Sequence, residues 1–153
     1  MSAEFVKAEG GRSIMEQVRA MIAADIPYCG HLGMLPQHVR EEGGYHMKGK
    51  KEIEHQALLE DAKALTDAGA FAIVLELVTP SVAREISENI SIPTIGIGSG
   101  DGCDGQILVT PDLIGTFPWF TPRFVKPRAN CAVEIRSAVT AWKNSVESPR
   151  DGI

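Results

Sequence analysis

The sequence predicts an α/β fold built on a parallel sheet. Segments such as "AFAIVLELV" (residues 70–78) are apolar at nearly every position, as strands covered on both faces are. Amphipathic stretches with helical spacing follow them, so strand and helix alternate along the chain. Polar groups, among them the single carboxylate Glu76 in that apolar run, fall where strands end. An unpaired buried carboxylate costs several kcal/mol (about 3–5), so Glu76 needs solvent, a cation or a chemical task.

Taken in order, "AEFVKAEGG" is a short strand ending in glycines, and "SIMEQVRAMIAAD" is a helix behind Ser13 as N-cap, with Ile14, Val18, Met21 and Ile22 on one face. "IPYCGHLGM" is the second strand. The polar, glycine-rich "LPQHVREEGGYHMKGKK" after it is long enough to predict a functional or mobile loop. "EIEHQALLEDAKALTDAG" is a helix closed by Gly69, "AFAIVLELV" the third strand, and "PSVAREISENI" a helix with Pro80 in its first turn. "IPTIGIG" is the fourth strand and "GQILVTPD" a fifth. "NCAVEIRSAVTAWKNSV" is a C-terminal helix whose stripe of Val133, Ile135, Val139, Trp142 and Val146 is expected to be buried, and "PRDGI" is expected to be loose.

The 153 residues suit a single domain, and 44% apolar with 23% charged residues is ordinary for a globular chain. A net charge of -5 gives no basic field for nucleic acid. Cys29, Cys103 and Cys131 are odd in number and widely spaced, which fits a reducing cytoplasm better than a disulfide framework or a zinc site. No apolar run reaches the ~18 residues of a membrane span. The turn "GIGSGDGCDG" resembles a dinucleotide fingerprint only in its glycines, because a strand rather than a helix is predicted after it.

Alternating strands and helices leave a doubly wound sheet or a (β/α) barrel. Lys7 and Glu9, His31, Glu76 and Ser99 fall at or after the ends of four successive strands, which favours a barrel with its mouth there. Each has a plainer reading. Glu9 suits a solvated strand end, His31 a hydrogen-bonded core histidine, and Lys7 a stem lying along apolar neighbours. His38, His46 and His55 lie on polar segments and read as solvated side chains. Cys29 reads as a core residue or pocket wall, and "FPWFTPRF" as a substrate wall or an oligomer contact.

The segments "VKAEGG", "CGHLGMLPQ", "GGYHMKGK", "LLEDAKALTDAGAFAIVLE", "IPTIGIGSG", "CDGQILV" and "RFVK", in this order and spacing, resemble the ketopantoate (3-methyl-2-oxobutanoate) hydroxymethyltransferase family from about Phe5 to Lys126. The resemblance implies a (β/α)8 TIM barrel of the phosphoenolpyruvate/pyruvate superfamily. It also implies transfer of a one-carbon unit from 5,10-methylenetetrahydrofolate to 3-methyl-2-oxobutanoate, giving 2-dehydropantoate for pantothenate synthesis. By the same resemblance Glu9 helps hold Mg²⁺, Lys7 and His31 bind substrate, and Glu76 is the general base. A partly desolvated carboxylate takes up a proton more readily, which suits that task.

The family's first three βα units, with two metal-binding aspartates and a substrate-binding serine, have no counterpart in these residues. The expectation is therefore residues 1–153 as the C-terminal part of a barrel, acting as a homo-oligomer or with a complementing N-terminal piece. A non-catalytic half-barrel docking through its sheet edges and another oxo-acid lyase of the superfamily are the alternatives.

Overall fold

A computed structural model describes residues 4–41 and 43–148, which form two compact units divided after Ile107. The expectation that "PRDGI" is loose falls on residues 149–153, outside those described.

The first unit holds a five-stranded, all-parallel sheet in the order β1 (Val6–Lys7), β2 (Tyr28–Gly33), β3 (Ala72–Glu76), β4 (Thr94–Ile97) and β5 (Gly105–Gln106). The strands lie side by side in chain order, with no reversal of the kind a doubly wound sheet requires. Helices α1 (Met15–Ala23), α2 (Glu52–Ala68) and α3 (Pro80–Asn89) supply the crossovers.

All three helices pack on one face. Val18 of α1, Leu58, Ala62 and Leu65 of α2, and Val82, Ala83 and Ile86 of α3 form one core with Tyr28, Leu32, Ile73 and Leu75 of the sheet. Full burial of an aliphatic side chain such as Leu65 or Ile86 stabilises by about 1.5–3 kcal/mol, so this layer holds the unit together. The opposite face carries a smaller cluster of Cys29, Ala72, Val74 and Ile97, with Ile95 against it. Strand pleating puts alternate residues on opposite faces, and parallel register brings Lys7 beside Cys29, His31 beside Val74 and Glu76 beside Ile97. Lys7, His31 and Glu76 therefore share the face that the three helices leave free.

Local chemistry explains two helix ends that matter for the site. Gly69 closes α2 in the left-handed conformation (φ 102°), and its amide donates to Thr66 O. Pro80 begins α3, where a missing amide hydrogen costs nothing.

Three expectations need correction. Ser13 is not the N-cap of α1: it lies inside a 3-10 turn (Arg12–Ile14), and the helix starts at Met15 with Ile14 as cap. The fifth strand is only Gly105–Gln106, because Thr110–Ile114 is already helix α4, with Pro111 in its first turn. His55 is not simply solvated, since its Nε2 lies 2.7 Å from Glu85 Oε2 and links α2 to α3.

The second unit contains α4 and α5 (Cys131–Glu147). Here the expected buried stripe is contradicted: Val133, Ile135, Val139, Trp142 and Val146 are all exposed, Trp142 to 68%. Periodicity identified the apolar face of α5, yet among the described residues nothing covers it. Of the aromatic segment, Phe117 and Trp119 contact one another with ring centroids 5.5 Å apart, and both are exposed.

Candidate functional site

Four polar residues gather at the C-terminal ends of β1, β2 and β3. His31 is the hub, 4% exposed on a strand whose remaining residues are apolar or glycine. Its Nε2 lies 3.1 Å from the carbonyl oxygen of Met34 and 3.3 Å from Glu76 Oε2, and its Nδ1 lies 3.1 Å from Lys7 Nζ. A carbonyl only accepts, so Nε2 carries the hydrogen and donates to Met34 O. An ammonium only donates, so Nδ1 accepts from Lys7. This pair of contacts fixes one tautomer of a neutral ring. The imidazole, on β2, thus lies between a cation from β1 and a carboxylate from β3.

Backbone bonds hold the hub in place. The Gly10 amide donates to His31 O (3.0 Å), joining the turn after Glu9 to β2. The Met34 amide donates to Glu76 O (2.7 Å), which ties the end of β2 to the end of β3. The long loop after β2 returns to the same place: the Lys48 amide donates to Leu77 O (2.7 Å) and the Thr79 amide to Lys48 O (2.9 Å).

Glu9 sits beside Lys7, its Oε1 3.9 Å from Lys7 Nζ. Its Oε2 is buried and has no hydrogen-bond partner among the described residues. Leaving a buried carboxylate oxygen unsatisfied costs about 1–3 kcal/mol or more, so a ligand that satisfies it gains that much. A hard cation such as Mg²⁺ fits this acceptor, though one carboxylate is a single ligand of six. Among the described residues no group of three His, Cys, Asp or Glu side chains is arranged to hold a metal ion. Lys7 and Glu9 border a depression of about 410 Å³ whose other walls are Ala8, Ile14, Gln17 and Gln37.

Cys29 lies on the same face as Lys7. Burial pushes its thiol up from the ordinary value, against smaller opposing pulls from Lys7 and the Val74 backbone, and the side chain packs in the cluster with Ala72, Val74 and Ile97. Tyr28, pointing to the helix face, is pushed up to about 12 by burial. Its hydroxyl donates to Ala8 O (3.3 Å), bracing the segment between Lys7 and Glu9.

Lys7, Glu9, His31 and Glu76 are thus brought together as one cluster. Ser99 does not join it; its hydroxyl is turned into the backbone next to Glu76. The Met34 carbonyl was missed by sequence reasoning, because a backbone acceptor has no signature in side-chain type. Gln17 and Gln37 were missed too, being polar residues on α1 and in a 3-10 turn (Pro36–His38) with no spacing to single them out.

Comparison with known proteins bears on the same residues. Residues 1–150 match the family model described as ketopantoate hydroxymethyltransferase. A 3-methyl-2-oxobutanoate hydroxymethyltransferase of Clostridium botulinum is 51% identical over 144 residues, which is 94% of this chain and 52% of the relative. The corresponding proteins of Cenarchaeum symbiosum and Geobacter metallireducens are 47% and 46% identical, covering 95% and 98% of this chain but 56% and 57% of their own lengths. The chain therefore spans about half the length of the curated relatives it matches. With the match running through the strand ends that carry Lys7, Glu9, His31 and Glu76, the chain belongs to the ketopantoate hydroxymethyltransferase family.

Proposed function

We propose that this chain carries the general base and part of the substrate and metal site of a 3-methyl-2-oxobutanoate hydroxymethyltransferase, with its sheet forming an arc of a (β/α)8 barrel. What supports the arc is the sequential, all-parallel strand order with helices on one face. The observation that carries the function is the His31 hub, which holds a lysine and a carboxylate on one strand-end surface of a family member.

The reaction begins with removal of the proton from C3 of the oxo acid. Glu76 is the base. Its Oε2 faces His31 Nε2 at 3.3 Å, which leaves Oε1 to receive the proton. The electrons of the broken C–H bond become an enolate, and this attacks the methylene carbon of 5,10-methylenetetrahydrofolate; that carbon gives up its two C–N bonds, one replaced by the new C–C bond and the other by a hydroxyl from water, and the two nitrogens of tetrahydrofolate leave carrying the protons from C3 and from water. Lys7, whose ammonium is oriented by donation to His31 Nδ1, binds the oxo acid and offsets the developing negative charge. His31 lines the substrate site and keeps Lys7 and Glu76 in register. Glu9 would hold Mg²⁺ through its unsatisfied oxygen, and the ion when bound supplies Lewis-acid stabilisation of the enolate. In this reading a complementing N-terminal piece supplies the remaining strands and metal ligands, and association into a homo-oligomer is the other arrangement that the two sheet edges allow. The three free thiols are in keeping with a cytoplasmic setting, and among the described residues no helix is long and apolar enough to cross a membrane.

The test is solvent exchange of the C3 proton of 3-methyl-2-oxobutanoate, followed by NMR in deuterium oxide. In the assembled enzyme Glu76→Gln lowers the exchange kcat by ~10²-fold or more, since a base of this kind contributes 10²–10⁴. An unchanged exchange rate removes Glu76 from the role.

A further inference from the structure

We propose that Ser99 is a positioning residue for the base: its buried hydroxyl closes the turn that aims the Glu76 carboxylate. The inference rests on the reading of Glu76 as base given above.

The backbone shows why an aiming device is needed. Along β3 the pleat alternates, with Ala72 and Val74 in the cluster on the helix-free face and Ile73 and Leu75 in the helix-side core. Continued alternation would put Val78 on the same face as Glu76. Val78 is instead fully buried in the helix-side core, so the chain switches faces between the two residues. The switch occurs at Leu77, which has φ +50°, a left-handed conformation that a leucine rarely adopts.

Leu77 is the centre of a bend; in a four-residue turn with positive φ at the third position the first carbonyl ordinarily accepts from the fourth amide, which here would join Leu75 O to Val78 N. Here a side chain from the next strand's exit stands in that gap. Ser99 Oγ donates to Leu75 O at 2.7 Å and accepts from Val78 N at 3.0 Å, so a single hydroxyl spans Glu76 and Leu77. Ser99 has no exposed surface, which leaves no room for bulk water to take over this bridge.

Other bonds hold the same stretch: Met34 N to Glu76 O, Leu77 N to Ile97 O (2.9 Å), and Lys48 N to Leu77 O. These anchor the groups of residues 76 and 77. The Val78 amide, on the far side of the left-handed rotation, is held by Ser99. Removing the hydroxyl therefore takes away a bond that spans the left-handed residue and loosens the Leu77–Val78 peptide, and with it the direction of the preceding carboxylate. A misplacement of about 1 Å in a reacting group costs up to about 10²-fold in rate. Ser99 has no hydrogen bond to Lys7, Glu9 or His31, so substrate and metal binding stay nearly unchanged.

The experiment compares Ser99→Ala, Ser99→Cys and Glu76→Gln in the assembled enzyme, reading kcat and KM for C3-proton exchange per folded molecule. Ser99→Ala is expected to lower kcat about 10-fold or more with KM within about twofold. Ser99→Cys, whose thiol is a weaker donor and acceptor of similar shape, is expected to fall between wild type and Ser99→Ala, and it serves if the alanine variant does not fold. If both Ser99 variants keep wild-type kcat while Glu76→Gln is inactive, the base is right and the Ser99 role is overturned. Full exchange in Glu76→Gln overturns the base assignment and this inference with it. A Ser99→Ala protein of lower melting temperature but unaltered kcat marks a purely structural serine and also refutes the proposal.

Discussion

Substituting Gly33 by alanine tests how tightly the site is built. Gly33 ends β2 with φ +96°, and a Cβ placed on it would run into the carbonyl oxygen of Glu76 and approach Val78 Cγ2 to 2.7 Å. Three costs add. A non-glycine residue in the left-handed region loses about 1–2 kcal/mol. The Glu76 carbonyl must recede by roughly 1 Å, an overpacking displacement worth about 1–3 kcal/mol. That movement stretches the 2.7 Å bond from the Met34 amide, worth a further ~1 kcal/mol. A loss of about 3 kcal/mol or more is a large share of the ~5–15 kcal/mol that keeps a domain folded. Because the displaced carbonyl belongs to the proposed base, exchange kcat should fall by ~10²-fold in the molecules that remain folded. Urea unfolding midpoints give the first quantity and proton exchange the second. A stability change under about 1 kcal/mol together with kcat within about twofold of wild type would show that the contact between β2 and β3 is not tight, and the reasoning would fail.

Three further outcomes are expected. Glu9→Gln should weaken Mg²⁺ binding in a metal titration, while His31→Gln should mainly raise KM for the oxo acid; a larger metal defect in the His31 variant contradicts the assignment of Glu9 as ligand. Asp104 is held below the usual carboxylate range by hydrogen bonds from the Thr94 amide (2.8 Å) and hydroxyl (2.9 Å), so its contribution is complete above about pH 4 and is lost as pH falls through the lower folded value. The melting-temperature gap between wild type and Asp104→Ala should accordingly shrink between about pH 6 and about pH 3, and a constant gap excludes the linkage. Residues 1–153 alone should associate or aggregate and should not transfer hydroxymethyl groups at the rate of a complete barrel, since among the described residues β1 and β5 each pair on one side only; a soluble, fully active monomer in a size measurement and folate-dependent assay refutes this.

The sequence by itself determined the alternation of strand and helix, the stop at Gly69 and the start at Pro80, and the identity of the polar groups at the strand ends. These are local properties: a glycine tolerates positive φ, a proline lacks an amide hydrogen, and an apolar run with one carboxylate has few explanations. Tertiary structure alone decided the rest. The apolar stripe of α5 was legible as a stripe, but whether anything covers it depends on partners that periodicity cannot name. The fifth strand and the Ser13 cap were misplaced because apolar runs and capping residues are compatible with more than one local geometry. The site needed the fold most of all. Lys7 and Glu76 were visible as charges, yet the imidazole between them is held by the Met34 carbonyl, and the chain after Glu76 turns at a left-handed leucine whose next amide bonds a serine from the next strand's exit. Backbone acceptors and reversals of the pleat have no residue code, so they emerge only when distant segments are brought within hydrogen-bond reach.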